Sequence, residues 1–300
     1  MPDSDIPIQQ IISQVKHLEI KARKLIEDTL LSEYHSVFKG KGIEFHETRN
    51  YLPGDDIRDI DWNVTARMNE PFVKTYIEER QLTIIFALDI SNSNSFGVLK
   101  SKRQKMAEIV AFLGFTALFN NDRVGLVLFS NDIERYIPPK KKYSHLLRII
   151  RDSWYYNGKN KTTSLSKSFK SIFELFKKKA VIFILSDFLD KGYEKNLLSL
   201  AKKHDVIAIV VNDFFEKELS LNLNNIPFAN YLKIMLELKD SETERTDIIK
   251  LDKTYTTRIK AFQDYYRSIF KKCGLDYAEV DTSDNLLPVE LILKKRVYKR

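Results

Sequence analysis

Residues 82–89 read LTIIFALD, an apolar run with almost no alternation that stops at a carboxylate, Asp89. A strand with one wet face alternates polar and apolar side chains. A run that does not alternate is what a strand covered on both faces looks like. Three more segments repeat the pattern: RVGLVLFS (123–130), AVIFILSD (180–187) and HDVIAIVV (204–211). Between them lie stretches of helical period. MAEIVAFLGFTALF sets Met106, Ile109, Val110, Leu113 and Ala117 on one side, and SLSKSFKSIFELF does the same with Leu165, Phe169, Ile172, Phe173 and Phe176. Buried strands alternating with helices specify an α/β fold with a doubly wound, mostly parallel sheet.

Outward from this centre, IERYIPP (133–139) follows RVGLVLFS closely enough to return as an antiparallel edge strand, and NYLKIMLELKD (230–240) is expected to pair locally. A long helix is expected from the stripe Leu251, Tyr255, Ile259, Phe262, Tyr266 and Ile269. GLDYAEV then reads as a last strand, with a closing helix near Leu286–Leu293. At the other end, Ile11, Val15, Leu18, Ala22, Leu25 and Ile26 predict one amphipathic helix over 8–31. The Gly-, Pro- and charge-rich stretch 38–67 comes next. These patterns divide the chain into an N-terminal helix and charged segment, 1–79, and an α/β domain, 80–300.

Composition narrows the function classes. With 43% hydrophobic and 30% charged residues, the 300-residue chain can bury a substantial core. The single cysteine, Cys273, rules out an intramolecular disulfide and fits a reducing compartment. MPDSDIPIQQ has neither the basic nor the apolar region of a signal peptide, and the uncharged run 109–119 is too short to span a bilayer. The expected location is cytoplasmic. The net charge of +8 comes from lysines at 140–142, 159–161, 177–179 and in KKRVYKR. These read as solvated helix ends and loops rather than one basic face with interleaved aromatics, which speaks against nucleic-acid binding.

Ligands of doubly wound sheets bind beyond the carboxyl ends of the strands. Three loops there carry oxygen donors: Asp89 with Ser91 and Ser93, then Thr162 or Thr163 in NKTTSL, then Asp187 in SDFLD. Two carboxylates and three hydroxyls, with no Cys or His near them in sequence, suit magnesium or manganese and not zinc. The competing explanation is that Asp89 and Ser91 simply cap the following helix. His145 reads as a helix position and His204 as a loop before a strand.

Asp89-Ile-Ser91-Asn-Ser93, a later threonine and Ser186-Asp187 together resemble the metal-ion-dependent adhesion site of von Willebrand factor type A domains. GIEFHETRNYLPGDDIRDIDWNVTAR, followed by PFVKTYIEERQ, resembles the signature of a bacterial family, domain-of-unknown-function family 58. SDFLD, KKHDVIAIVVND and GLDYAEVDTSDNLLPVEL look like its later blocks, so the likeness runs from about Gly40 to the C-terminus. The resemblance implies a metal held by Asp89, Ser91, Ser93, Thr163 and Asp187. It further implies a non-enzymatic interaction module whose partner is a MoxR-type AAA+ ATPase, or a client protein supplying a carboxylate to the ion. Thr162 and Ser164 depart from the family pattern, which usually has Gly and Asp at those places.

Two other functions remain open from the residues. A magnesium-dependent phosphohydrolase needs a nucleophile or base beside the metal, and Ser91 stands where an aspartyl phosphotransferase would place a second Asp. A nucleic-acid binder would show steep salt dependence. The charged block around Glu44, Glu47, Arg49, Asp55, Asp56, Arg58, Asp59, Asp61 and Arg67 is expected to form an ion-pair network seating this segment on the main domain, with Trp62 as its apolar anchor.

Overall fold

A computed structural model describes residues 13–20, 22, 44–77, 81–91, 101–158, 163–212, 253–283 and 285–298. The expected pairing at 230–240 lies outside these residues. The described residues build two sheets. In the small one, β1 (Glu44–Asn50) pairs antiparallel with β2 (Phe72–Ile77). A 3-10 turn at Ile57–Asp59 and the short helix α1 (Trp62–Met68) connect them. Asp61 caps α1 by accepting hydrogen bonds from the Asn63 and Val64 amides. Arg49 grips Asp55 with two hydrogen bonds of 2.8 and 2.7 Å, Arg58 pairs with Asp56, and Lys74 lies 3.5 Å from Asp61. Among the described residues, the expected charge pairs therefore form within the segment itself. Trp62 is 67% exposed and anchors nothing; as the first residue of a helix of only two turns, its ring projects into solvent.

The large sheet has the order β5-β4-β3-β6-β7-β8. Its strands are β3 (Thr83–Asp89), β4 (Arg123–Phe129), β5 (Ile133–Lys140), β6 (Val181–Ser186), β7 (Asp205–Asn212) and β8 (Asp276–Asp281). All neighbours are parallel except β4 and β5, so IERYIPP is the antiparallel edge strand expected from its short connection. Two prolines on β5, Pro138 and Pro139, suit an edge position, where a missing donor leaves no ladder partner unsatisfied. Gly125 of β4 permits the close approach. A Cβ there would stand 3.0 Å from the Ile137 carbonyl and 3.0 Å from Ile85 Cδ1.

Successive side chains of β3 enter opposite layers, which explains why its sequence does not alternate. Ile84, Phe86 and Leu88 join a cluster with α2 (Lys102–Phe119), α3 (Tyr143–Tyr155) and α7 (Leu287–Tyr298). Ile85 and Ala87 join a second cluster with α4 (Leu165–Leu175), α5 (Glu194–Lys203) and α6 (Lys253–Cys273). Val15, Leu18 and Ala22 of the N-terminal helical stretch enter the first cluster. Each fully buried Leu, Ile or Phe contributes about 1.5–3 kcal/mol, and the whole is a doubly wound α/β structure. No helix among the described residues is long and apolar enough to cross a membrane.

The strand order reverses at the centre. From β3 the chain moves outward through β4 to β5, then crosses back to β6 on the other side of β3 and continues to β7 and β8. The crevice beyond β3 and β6 is therefore the switch point where such sheets bind ligands.

Candidate functional site at the sheet switch point

β3 ends in Asp89 and β6 ends in Ser186-Asp187, with Leu88 opposite Leu185 in register. This pairing places the two polar strand ends side by side. Asp89 is fully buried. Its Oδ2 accepts a 2.7 Å hydrogen bond from the Ser186 hydroxyl, and its Oδ1 accepts one of 3.0 Å from the Ser91 amide. Among the described residues, neither Asp89 nor Ser91 caps a helix. The following helix, α2, is capped by Ser101, whose hydroxyl accepts from the Gln104 amide at 3.1 Å. Asp89 instead folds its own loop back on itself and presents a buried carboxylate at the crevice.

Asp187 is held from two sides. Its Oδ1 accepts from the Leu189 amide at 3.3 Å, and its Oδ2 accepts from the Lys102 ammonium at 3.3 Å. The backbone turns sharply just beyond it. Phe188 has φ of 54°, a left-handed conformation that costs a bulky residue of order 1–2 kcal/mol. Its ring is buried against Phe270 at 4.9 Å between centroids and also near Tyr193 and Tyr266. Its amide donates to the Ser186 hydroxyl at 3.0 Å. Core packing thus holds the strained turn that aims Asp187.

The second loop is tied to both neighbours. The amide of Ser164 and the hydroxyl of Ser168 donate to the Ser130 carbonyl, each at 3.1 Å, which fixes the start of α4 to the end of β4. The Leu165 amide donates to Asp190 Oδ2 at 2.8 Å, which fixes the same point to the loop after β6. Thr163, immediately before the α4 N-cap Ser164, is half-buried between these two attachments. Of the five residues expected at the site, Asp89, Ser91 and Asp187 end or follow the two central strands, and Thr163 lies at the flanking loop. Ser93 lies outside the described residues, as does Thr162.

Burial is the larger cause that pushes the Asp89 carboxyl up, to about 6, and the nearby Asp187 charge adds to it; hydrogen bonds from Ser91 and Ser186 pull the other way. Such a carboxylate gains from a cation. Among the described residues no cluster of three or more His, Cys, Asp or Glu side chains could hold a metal. An ion at this crevice would therefore rely on hydroxyl oxygens beside Asp89 and Asp187, a donor set that fits a hard divalent cation.

Sequence reasoning missed Ser130, Lys102 and Arg103, and the role of Ser186. Ser186 orients Asp89, and Ser130 donates to Glu134 of β5 at the neighbouring strand end. Lys102 and Arg103 open α2, both buried. Arg103 donates to the carbonyls of Ser153, Asp152 and Tyr156 at the negative end of α3. Burial lowers the Arg103 guanidinium to about 10, while Asp89 and Glu134 oppose the shift. A signal for the pair was present. SKRQK puts three cations on the first turns of a helix, the positive end of its dipole, with no acidic residue in the first turn.

Uncharacterized proteins of Mycobacterium tuberculosis and Mycobacterium bovis are 26% identical over 219 residues, covering 72% of this chain and 69% of theirs. Among solved structures, the conserved hypothetical protein BatB from Bacteroides thetaiotaomicron is similar, with a TM-score of 0.46 and 17% identity, covering 73% of this chain and 98% of that one. A von Willebrand factor type A protein from Catenulispora acidiphila gives a TM-score of 0.31 at 11% identity, covering 47% of this chain and 35% of that one. Residues 47–264, well over half the chain, match the family described as "Protein of unknown function DUF58", and the chain belongs to that family.

Proposed function

We propose that the crevice binds a magnesium or manganese ion through Ser91, Ser93, Thr163, Asp89 and Asp187, and that the chain is a metal-dependent protein-interaction module of the von Willebrand factor A type. The observation that carries this reading is the fully buried Asp89 at the end of β3, beside Ser186-Asp187 at the end of β6, where the strand order reverses. A cation held mostly by hydroxyls keeps an electrophilic position. A carboxylate of a partner completes its shell, and the contact is strong because it is charge-assisted and partly dry. The partner is a MoxR-type AAA+ ATPase or a client delivered to one, and the site is cytoplasmic.

The chemistry of the crevice supports adhesion over turnover. His145, 3.2 Å from the Val124 carbonyl, and His204, directly before β7, both sit at the amino edge of the sheet, away from Asp89. Among the described residues, neither supplies the general base that a phosphohydrolase needs. The test is capture of a MoxR-type ATPase by the immobilised chain with magnesium, with EDTA, and with Asp89→Ala. Capture that requires magnesium and disappears with the variant is expected. Capture unaffected by EDTA would remove the metal from the reading.

A further inference from the structure

We infer that Lys102 is a resident cation of the crevice. Its ammonium neutralises Asp187 in the metal-free protein and leaves that carboxylate when a divalent ion binds. This inference rests on the reading of the crevice as a metal site and adds to it how the site is regulated. Lys102 Nζ lies 3.3 Å from Asp187 Oδ2, and the two residues are only 2% and 5% exposed. The pair joins the first residue of α2 to the loop after β6, across 85 positions of sequence. In this low-dielectric setting, a divalent ion at Asp89 and Asp187 repels a neighbouring ammonium far more strongly than it would in water.

The two cations at the start of α2 are suited to different tasks. Arg103 is pinned by three carbonyls of α3 and has no freedom to leave. Lys102 carries a compact charge on a flexible four-carbon stem, which a divalent ion can drive aside where a guanidinium fixed by three carbonyls stays. The positive end of the α2 dipole also disfavours an ammonium at this position, which lowers the cost of its release. The bound state exchanges one internal charge for an external one. The chain therefore keeps its crevice formed without metal and binds metal more weakly than its donor set allows.

Manganese binding to the full chain, measured by calorimetry for the natural sequence, Lys102→Met, Lys102→Arg and Asp89→Ala, tests the exchange. Lys102→Met is expected to bind about tenfold tighter or better, since it removes the competing charge, and Lys102→Arg no tighter than the natural chain. A second readout needs no variant. Reductive methylation followed by mass spectrometry should find Lys102 protected without magnesium and labelled at saturating magnesium. Binding by the natural chain, with unchanged or weaker binding by Lys102→Met and continued protection of Lys102, would make the lysine a fixed support of Asp187 and overturn the exchange alone. Absence of Asp89-dependent binding in both the natural chain and Lys102→Met would overturn the metal reading and the exchange together.

Discussion

Asp55 and Asp187 are both carboxylates held by a cation, yet the partner of the first comes from six residues away and that of the second from eighty-five. Around β1, β2 and α1, acids and bases pair with near neighbours on a wet surface. Arg58 bonds Asp56 two positions away while largely exposed. At the crevice, the charged groups are buried and meet only when the large sheet is assembled. Water screens the first kind of pair and makes its loss cheap. Burial makes the second kind costly to break, because removing one partner leaves the other charge unpaired in a low-dielectric site.

The largest expected effect concerns neither charge but what aims one of them. Phe188→Ala should lower unfolding stability by about 3–5 kcal/mol in urea titration, by emptying the space among Phe270, Tyr266 and Tyr193. Asp187→Ala should cost about 3 kcal/mol by stranding the buried Lys102 ammonium, and adding Lys102→Met to that variant should restore part of the loss. A cost near zero for Asp187→Ala would place the pair with the surface pairs and erase the contrast.

An intermediate effect is expected at His204, whose imidazole is buried at the edge of the Phe176 ring. Burial, and then Lys203, lower its pKa from 6.5 to about 4. The unfolded chain therefore binds the proton more readily between those values, so stability is full above pH 6.5 and falls on acidification towards pH 4. Between pH 7.5 and 5 the loss should be roughly 1–2 kcal/mol, and His204→Phe should flatten that part of the profile. Smallest of all, Arg49→Ala should leave the thermal unfolding midpoint where it is, despite the two short bonds to Asp55.

The same contrast explains what the sequence disclosed. Strands β3, β4, β6 and β7 were readable because burial on both faces leaves an unbroken apolar run. The edge strand β5 was readable from its short connection. Asp89 and Asp187 stood out because each interrupts such a run. Lys102 and Arg103 did not, because their partners, Asp187 and the carbonyls of α3, come from distant segments and their one-letter signature resembles any solvated basic patch. Trp62 misled for the opposite reason: an aromatic among charges suggests an anchor, yet α1 is too short to bring it against the core. Ser186 was visible next to Asp187, but its bond to Asp89 follows from the register of two strands ninety-seven residues apart.

The left-handed turn at Phe188 also bears on how tightly the crevice can hold a ligand. A loop that must be organised during association gives up part of its contact energy to lost freedom. Here the backbone on either side of Asp187 is already committed, clamped by an aromatic nest below and by the Ser186 hydroxyl beside it. Arrival of a ligand need not freeze that stretch, so its affinity is free of that entropic tax and its dissociation does not require the turn to loosen.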